Sequence, residues 1–430
     1  EFTAAYTRFF SGMKHDYISR DKSSDHMDES HTVLKTDNNI NDWIFRGDFD
    51  WSPNGNNRVR FGAGYTRHSF LPARTSRLYE VGTTHLSTRD STWAYGANEV
   101  NAYIEDDWKI SDKFRMNAGF HGSLFNIGGK TNLGWSPRLS LSYRPDEDWA
   151  VKFAYARTTQ YVHQLSQSYL ALPTDQWIPI SGKLKPETAD KISVGGYWES
   201  PDKTYAVSVE GYYKWMDNLV EYKDEYYLRP PLDLWNAQLC SGKGTAKGVD
   251  FKIEKVFGKV TGHISYSLAW ADRTFADKNG GRTFPAKFDN RHTINIMVNW
   301  KISDKVQVNA SWVGHSGNRF TLLNQVWDDP DFETTDWFGA GESPLRTGIN
   351  SYKLPFYHRL DLSCTVKNKR GYWTFGLYNA YCHMNTVAVK RGTQDIAVSK
   401  PGEYYITSEP VFKRVKLLPV IPSISYTWLF

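Results

Sequence analysis

Residues 259–270 read KVTGHISYSLAW. In an extended chain Val260, Ile264, Tyr266, Leu268 and Trp270 fall on one side, and Thr261, His263, Ser265 and Ser267 on the other. A period of two marks a strand whose faces meet different surroundings. The pattern recurs. Residues 292–302 set Ile294, Ile296, Val298, Trp300 and Ile302 against Thr293, Asn295, Asn299 and Lys301, and residues 305–314, 113–124 and 358–367 alternate in the same way. About sixteen such segments can be placed, near 2–12, 42–51, 57–69, 97–110, 113–125, 137–144, 149–158, 188–199, 204–215, 246–256, 259–270, 291–302, 304–314, 356–367, 370–381 and 420–430. Most are about ten residues long, enough for a tilted strand to cross a bilayer.

The connections alternate between short and long. Short turns are predicted at 52–56, 111–112, 144–148, 200–203, 257–258, 303–304 and 368–369. Long loops are predicted near 13–41, 70–96, 126–136, 159–187, 216–245, 271–290, 315–355 and 382–419. A meander with tight turns at one end and long loops at the other is how outer-membrane barrels are built. In lipid every backbone N–H and C=O must be paired within the protein, and a closed sheet does this without leaving an edge. The expected fold is therefore all-β: an antiparallel transmembrane β-barrel. Strands of a soluble propeller or sandwich average about five to six residues, shorter than these.

Composition removes the rival classes. The 430 residues include 17 Trp, 26 Tyr and 23 Phe, too many rings for a disordered chain. The longest apolar runs, such as 417–422, fall far short of the roughly 20 residues of a membrane helix. A net charge of +5 with scattered Lys and Arg gives no support for nucleic-acid binding. Cys240, Cys364 and Cys382 are odd in number and widely spaced, which fits neither a zinc site nor a disulfide framework. No nucleophile–base pair, phosphate loop or dinucleotide fingerprint is present, so no enzyme, cofactor or metal is expected. The acidic run 328–331 lacks the spacing of a calcium loop, and His358 and His383 have no placed partner. Trp51, Trp108, Trp149, Trp198, Trp270, Trp300, Trp312 and Trp428 stand near segment ends, where aromatic girdles meet membrane interfaces.

Several stretches resemble those of a known family. GKLKPETA at 182–189, GTAKGVDF at 244–251, WSPRLSLSY at 135–143, KFDNRH at 287–292, YHRLDL at 357–362 and LYNAY at 377–381 are similar, in this order, to the barrel motifs of TonB-dependent outer-membrane receptors of Bacteroides-type bacteria. The resemblance implies a barrel of about 22 strands with a plugged lumen. It makes this chain the C-terminal part of one, with the plug and TonB-contacting segment not included. It also implies import of a scarce extracellular solute (an iron chelate, haem, a cobalamin, a peptide or a glycan) across the outer membrane of a Gram-negative bacterium, with energy delivered through TonB. The alternative is a complete sixteen-stranded passive porin. The final strand, with Ile424, Tyr426, Trp428 and Phe430 on one face, resembles the signal read by the barrel-assembly machinery. The implied partners are the TonB complex, that machinery, the lipid bilayer and, over the outer mouth, a surface lipoprotein.

Two sets of candidate site residues follow. Aromatic rings beside Arg, His and Gln in the long loops can stack on and hydrogen-bond a ligand. These are Tyr161, His163, Gln164 and Trp177; Tyr226, Tyr227, Arg229 and Trp235; and Arg319, Trp327 and Trp337. Polar-face residues Arg115, His121, Arg138, Lys152, Glu210, Asp250 and Arg359 are expected to face the lumen and its plug.

Overall fold

A computed structural model describes residues 1–23, 26–81, 84–89, 94–165, 176–180, 182, 184–223, 239–321, 323–328, 342–346, 348–400 and 403–429. One antiparallel sheet gathers eighteen segments. Two are short additions: Thr84–Arg89 lies against the tip of a long strand, and Phe284–Pro285 against another. The remaining sixteen follow chain order. They are β1 (Phe2–Ser23), β2 (His26–Trp51), β3 (Asn57–Val81), β4 (Tyr95–Lys109), β5 (Phe114–Ile127), β6 (Lys130–Tyr143), β7 (Trp149–Gln160) and β8 (Glu187–Glu199). The second half comprises β9 (Tyr205–Tyr222), β10 (Leu239–Lys255), β11 (Val260–Phe275), β12 (His292–Lys301), β13 (Val306–His315), β14 (Tyr357–Asn368), β15 (Gly371–Tyr378) and β16 (Ile421–Trp428). Each pairs with the next. Among the described residues no pairing joins β1 to β16.

The register keeps like faces together. One row of paired residues runs Trp149, Trp198, Val207, Ile253, Ile264, Ile296, Trp312, Leu360, apolar at every step across eight strands. It begins at the first residue of β7, beside a short turn, and ends at the fourth residue of β14, beyond a long connection. A row that climbs in this way is the stagger a tilted barrel wall requires. A slip of one residue anywhere would turn Ser265 outward and Ile264 inward, so lipid on one side fixes the register.

Aromatics gather in two bands on the apolar face. Toward the short turns, Trp149 lies 6.4 Å from Trp198, and Trp373 lies 4.8 Å from Tyr426. Toward the other end, the Arg157 guanidinium sits 4.3 Å over Trp135, Arg291 sits 4.9 Å over Trp270, and Trp312 stacks on His358. His358 also stacks on His383 at 3.8 Å, so these two histidines are each other's partners. The polar end of each pair meets headgroups while the ring meets acyl chains.

Most of the short turns share one device. A side-chain oxygen accepts from the backbone two or three residues on. Asn54 Oδ1 takes the N–H groups of Asn56 and Asn57, Asp146 Oδ1 those of Asp148 and Trp149, and Ser303 Oγ those of Lys305 and Val306. At the turn after β8, hydrogen bonds from Ser200 and Thr204 hold the Asp202 carboxyl down to about 2.

The connections at the other end correct the expectation of long loops. β1 and β2 continue through 13–41 as a paired ribbon, broken only at 24–25, and β3 carries on to Val81. The stretch 126–136 is a two-residue turn, Gly128 and Gly129, both with positive φ (57° and 78°), between β5 and β6. Such a turn matches the twist of a hairpin, and glycine adopts it without strain. Most of 382–419 is a separate hairpin, Asn385–Lys400 paired with Glu403–Leu417. Beyond the lipid a strand no longer needs one apolar face, so ribbons can extend without alternation.

Candidate functional site

Most of the buried side chains lie at the long-connection end of the sheet. Phe70, Ala97, Phe125, Ile127, Tyr161 and Ile180 form one cluster, and Leu165, Ile178, Val220, Tyr222 and Leu239 form another. What joins them is a small hairpin after β7, Val162–Leu165 paired with Gln176–Pro179. Its first arm touches β9 and its second touches β2 and β3. It therefore crosses the mouth of the polar face from one side of the wall to the other.

Tyr161 is the pivot of this crossing. Its ring stacks on Phe125 at 4.7 Å with an interplanar angle of 7°, its hydroxyl lies 2.7 Å from Ser123 Oγ, and its carbonyl accepts from Ile180 N at 2.8 Å. Beside it His68 stacks on Phe70, bonds Asp42 through Nδ1 at 2.8 Å and places Nε2 3.4 Å from Glu99. His163 is buried, with Nδ1 3.5 Å from Glu187. Gln164 is exposed and Trp177 is half-buried. Of the four sequence candidates here, Tyr161 and His163 thus build the floor of the mouth, while Gln164 and Trp177 stand nearer its surface. Tyr161→Ala is expected to cost about 3 kcal/mol locally, as for other buried ring truncations. Hydrogen exchange should then rise over 161–165 and 176–180 and stay unchanged over β7; equal loosening of both would contradict this anchoring role.

A second anchor was not legible in the sequence. Lys278 reads as a solvated loop lysine, followed by Asn279, Gly280 and Gly281. In the structure it is 2% exposed, donates to Glu221 Oε2 at 2.6 Å and lies 5.7 Å from the rings of both Phe275 and Phe284. Arg273 takes the other oxygen of Glu221 at 2.9 Å. Arg319 is likewise engaged, donating to Asp289 Oδ2 at 2.9 Å. Removing one partner of a buried ion pair strands the other charge. Glu221→Ala should therefore destabilise the 271–290 connection by about 3 kcal/mol, at the low end of the buried-pair range because Glu221 keeps some solvent. Limited proteolysis should cut that connection first; unchanged protection would show the pair to be dispensable.

Trp327 stands in the segment Leu323–Asp328, opposite Ser343. Tyr226, Tyr227, Arg229, Trp235, Trp337 and Phe430 lie outside the described residues. Along the strands, Arg115, His121, Arg138, Lys152, Glu210, Asp250 and Arg359 all sit on the polar side of their alternations. Arg115 holds Asp107 at 2.7 Å, Lys152 Nζ lies 4.3 Å over Tyr197, and Tyr197 donates to Glu210 at 3.0 Å. Glu210 is paired in register with Asp250. Arg138 packs across Gly119, where an added Cβ would come within 2.9 Å of Glu105 and 3.1 Å of Arg138, so a bare backbone is needed there. Arg359 is held by Asp361, Tyr357 and Tyr378. The arrangement offers charge pairs and hydrogen bonds for binding.

The family described as TonB dependent receptor-like, beta-barrel, matches residues 2–381. The chain belongs to this family. Its sheet is the wall of an outer-membrane β-barrel, and the family is one of receptors, not enzymes. No curated protein matches this TonB-dependent receptor chain in sequence. Its fold is similar to that of the ferripyoverdine receptor of the outer membrane of Pseudomonas aeruginosa, at 11% identity over 89% of this chain and 50% of that one, TM-score 0.55. It is similar to the ferric yersiniabactin uptake receptor of Yersinia pestis, at 12% identity over 96% and 62%, TM-score 0.55. It is also similar to the FrpB iron transporter of Neisseria meningitidis, at 11% identity over 89% and 60%, TM-score 0.55. The TonB-dependent receptor chain thus spans between half and two thirds of each of these structures.

Proposed function

We propose that this chain is the C-terminal part of the barrel of a receptor that captures a scarce extracellular solute at its outer mouth and imports it with energy delivered through TonB. The family match carries this reading. Support comes from the crossing hairpin at the mouth, which sets Gln164 and Trp177 near its surface. The lack, among the described residues, of any pairing between β1 and β16 also favours it. A self-closed sixteen-stranded passive pore would need those two strands to pair, and no such pairing exists among the described residues. In this reading further strands bridge β1 and β16, a plug fills the lumen against residues such as Arg115, Arg138, Lys152 and Glu210, and a TonB-contacting segment belongs to the same receptor. The barrel-assembly machinery would read β16, and a surface lipoprotein would cap the mouth. The solute is an iron chelate, haem, a cobalamin, a peptide or a glycan. The ferric cargoes named for two of the similar structures put iron chelates first in any screen.

The test is uptake by cells carrying or lacking the full receptor gene, with iron chelates, haem, cobalamin, peptides and oligosaccharides offered in turn. One class should lose high-affinity uptake in the deletion, and a protonophore should abolish it in the parent. Protonophore-insensitive flux, together with steady conductance of the purified receptor in a planar bilayer, would favour the passive pore.

A further inference from the structure

The lipid-facing side of β1 to β5 holds very little charge, and that charge is unevenly placed. Its positions are every second residue of 2–10 in β1, 39–51 in β2, 59–71 in β3, 96–108 in β4 and 116–126 in β5. Among them the only acidic residue is Asp106, which accepts from Asn57 Nδ2 at 2.7 Å beside a short turn. The only basic ones are Arg8 and Arg67, both toward the long-connection end. Neither forms an ion pair among the described residues. Arg157, farther round the same side, does have a carboxylate, with Nη1 3.5 Å from Asp190.

The register fixes the height of the two arginines. Trp51 lies beside the turn that opens β3, and Trp43, on the same face of β2, is the register partner of both Tyr6 and Arg67. From Trp51 to Trp43 the rise is roughly 20 Å at about 3.3 Å per residue and a tilt of about 40°. The next row on this face, Arg8, Asn41 and Ser69, stands roughly 25 Å up, where the apolar band of such a barrel ends. Both guanidiniums therefore sit at the level of the outer headgroups.

Arg67 is held in place. Its Nη1 donates to Asn98 Oδ1 at 2.9 Å, and the Tyr65 hydroxyl donates to the same oxygen at 2.9 Å. The guanidinium lies across Gly96, where an added Cβ would come within 2.6 Å of Nη2. Tyr6 packs on Trp43 at 4.8 Å and donates to Asn41 Oδ1 at 3.2 Å, and Arg8 lies 6.0 Å from the Phe10 ring. Two strand spacings and one pleat put Arg8 and Arg67 about 12 Å apart. A guanidinium offers five N–H donors in a fork that matches phosphate oxygens, and the bond is strengthened by charge. With no carboxylate on the same face at this height, the patch complements an anion, and its rings lie where acyl chains begin. We propose that this patch binds the phosphate-bearing headgroup of an outer-leaflet lipid, with Arg67 and Arg8 gripping phosphate and Trp43 and Tyr6 packing on the chains below.

The test uses the full receptor, purified in a neutral detergent and incubated with lipid A or with lipid A stripped of its phosphates. Native mass spectrometry then measures the adducts that survive release from the micelle. The wild-type receptor should retain the phosphorylated lipid severalfold better than the stripped one. Arg8→Gln with Arg67→Gln should remove that preference while heat-modifiable mobility stays as in wild type. Lys255→Gln removes a lipid-side cation at the short-turn end of β10 and should leave the preference unchanged. Equal retention of both lipids by the wild type, an undiminished preference in the double variant, or an equal loss in Lys255→Gln overturns the proposal. So does complete displacement of the lipid by inorganic phosphate, which would make this a site for a soluble anion. If the double variant does not assemble, Arg67→Lys decides: it keeps the charge without the fork, so a reduced preference supports the proposal and an unchanged one overturns it.

Discussion

Ile264→Arg combined with Ile296→Arg is expected to abolish assembly of the folded barrel in the outer membrane. The two positions are register partners in the middle of the apolar faces of β11 and β12. Each arginine on a lipid face near the bilayer midplane costs about 2–4 kcal/mol, and two facing each other add like-charge repulsion. Against a typical stability of roughly 5–15 kcal/mol this is a large fraction. Ser265→Arg with Asn295→Arg, one residue along on the other face, should leave assembly intact, because that face carries polar side chains. Heat-modifiable mobility of the barrel on gels, before and after boiling, reads the difference. Equal loss in both pairs would mean that the faces have been assigned wrongly.

Deleting 421–430 should be at least as damaging. β16 pairs along the whole of β15, from Gly371 opposite Trp428 to Tyr378 opposite Ile421. Its loss leaves the edge of β15 that faced it unpaired in lipid, where each unsatisfied group costs several kcal/mol. The contact of Trp373 with Tyr426 at 4.8 Å goes with it. The truncated receptor should accumulate in the periplasm and be degraded there. Trp428→Ala alone should reduce, not abolish, the folded amount. Normal outer-membrane levels of the truncation would contradict the role given to this strand.

The membrane-spanning part of each strand was legible because lipid on one side and a polar lumen on the other impose a period of two. Ile264 beside Ser265 carries that information without any partner strand. Where lipid ends, the signal ends. The ribbon of β1 and β2 beyond Met13 carries no sustained alternation, so its sequence looks like a loop although its described backbone is paired up to Ser23 and His26. At 126–136 the adjacent Gly128 and Gly129 mark a two-residue hairpin turn, set among polar residues that by themselves read as loop. The site was less legible. Tyr161 and His163 read in the sequence as a ring and a donor able to meet a ligand; in the fold both are buried, and Tyr161 stacks on Phe125. Lys278 could not be foreseen as buried, because its partner Glu221 and its covering rings Phe275 and Phe284 come from other strands and turns.

The central claim is that one side of this sheet meets lipid and the other a polar lumen. Spin labels placed singly at each position from 260 to 270 of the full receptor in lipid vesicles test it directly. Collision with oxygen should peak at 264, 266 and 268, collision with an aqueous nickel chelate should peak at 265 and 267, and the two profiles should be opposite in phase with a period of two. A reversed phase, or profiles without that period, would contradict the account.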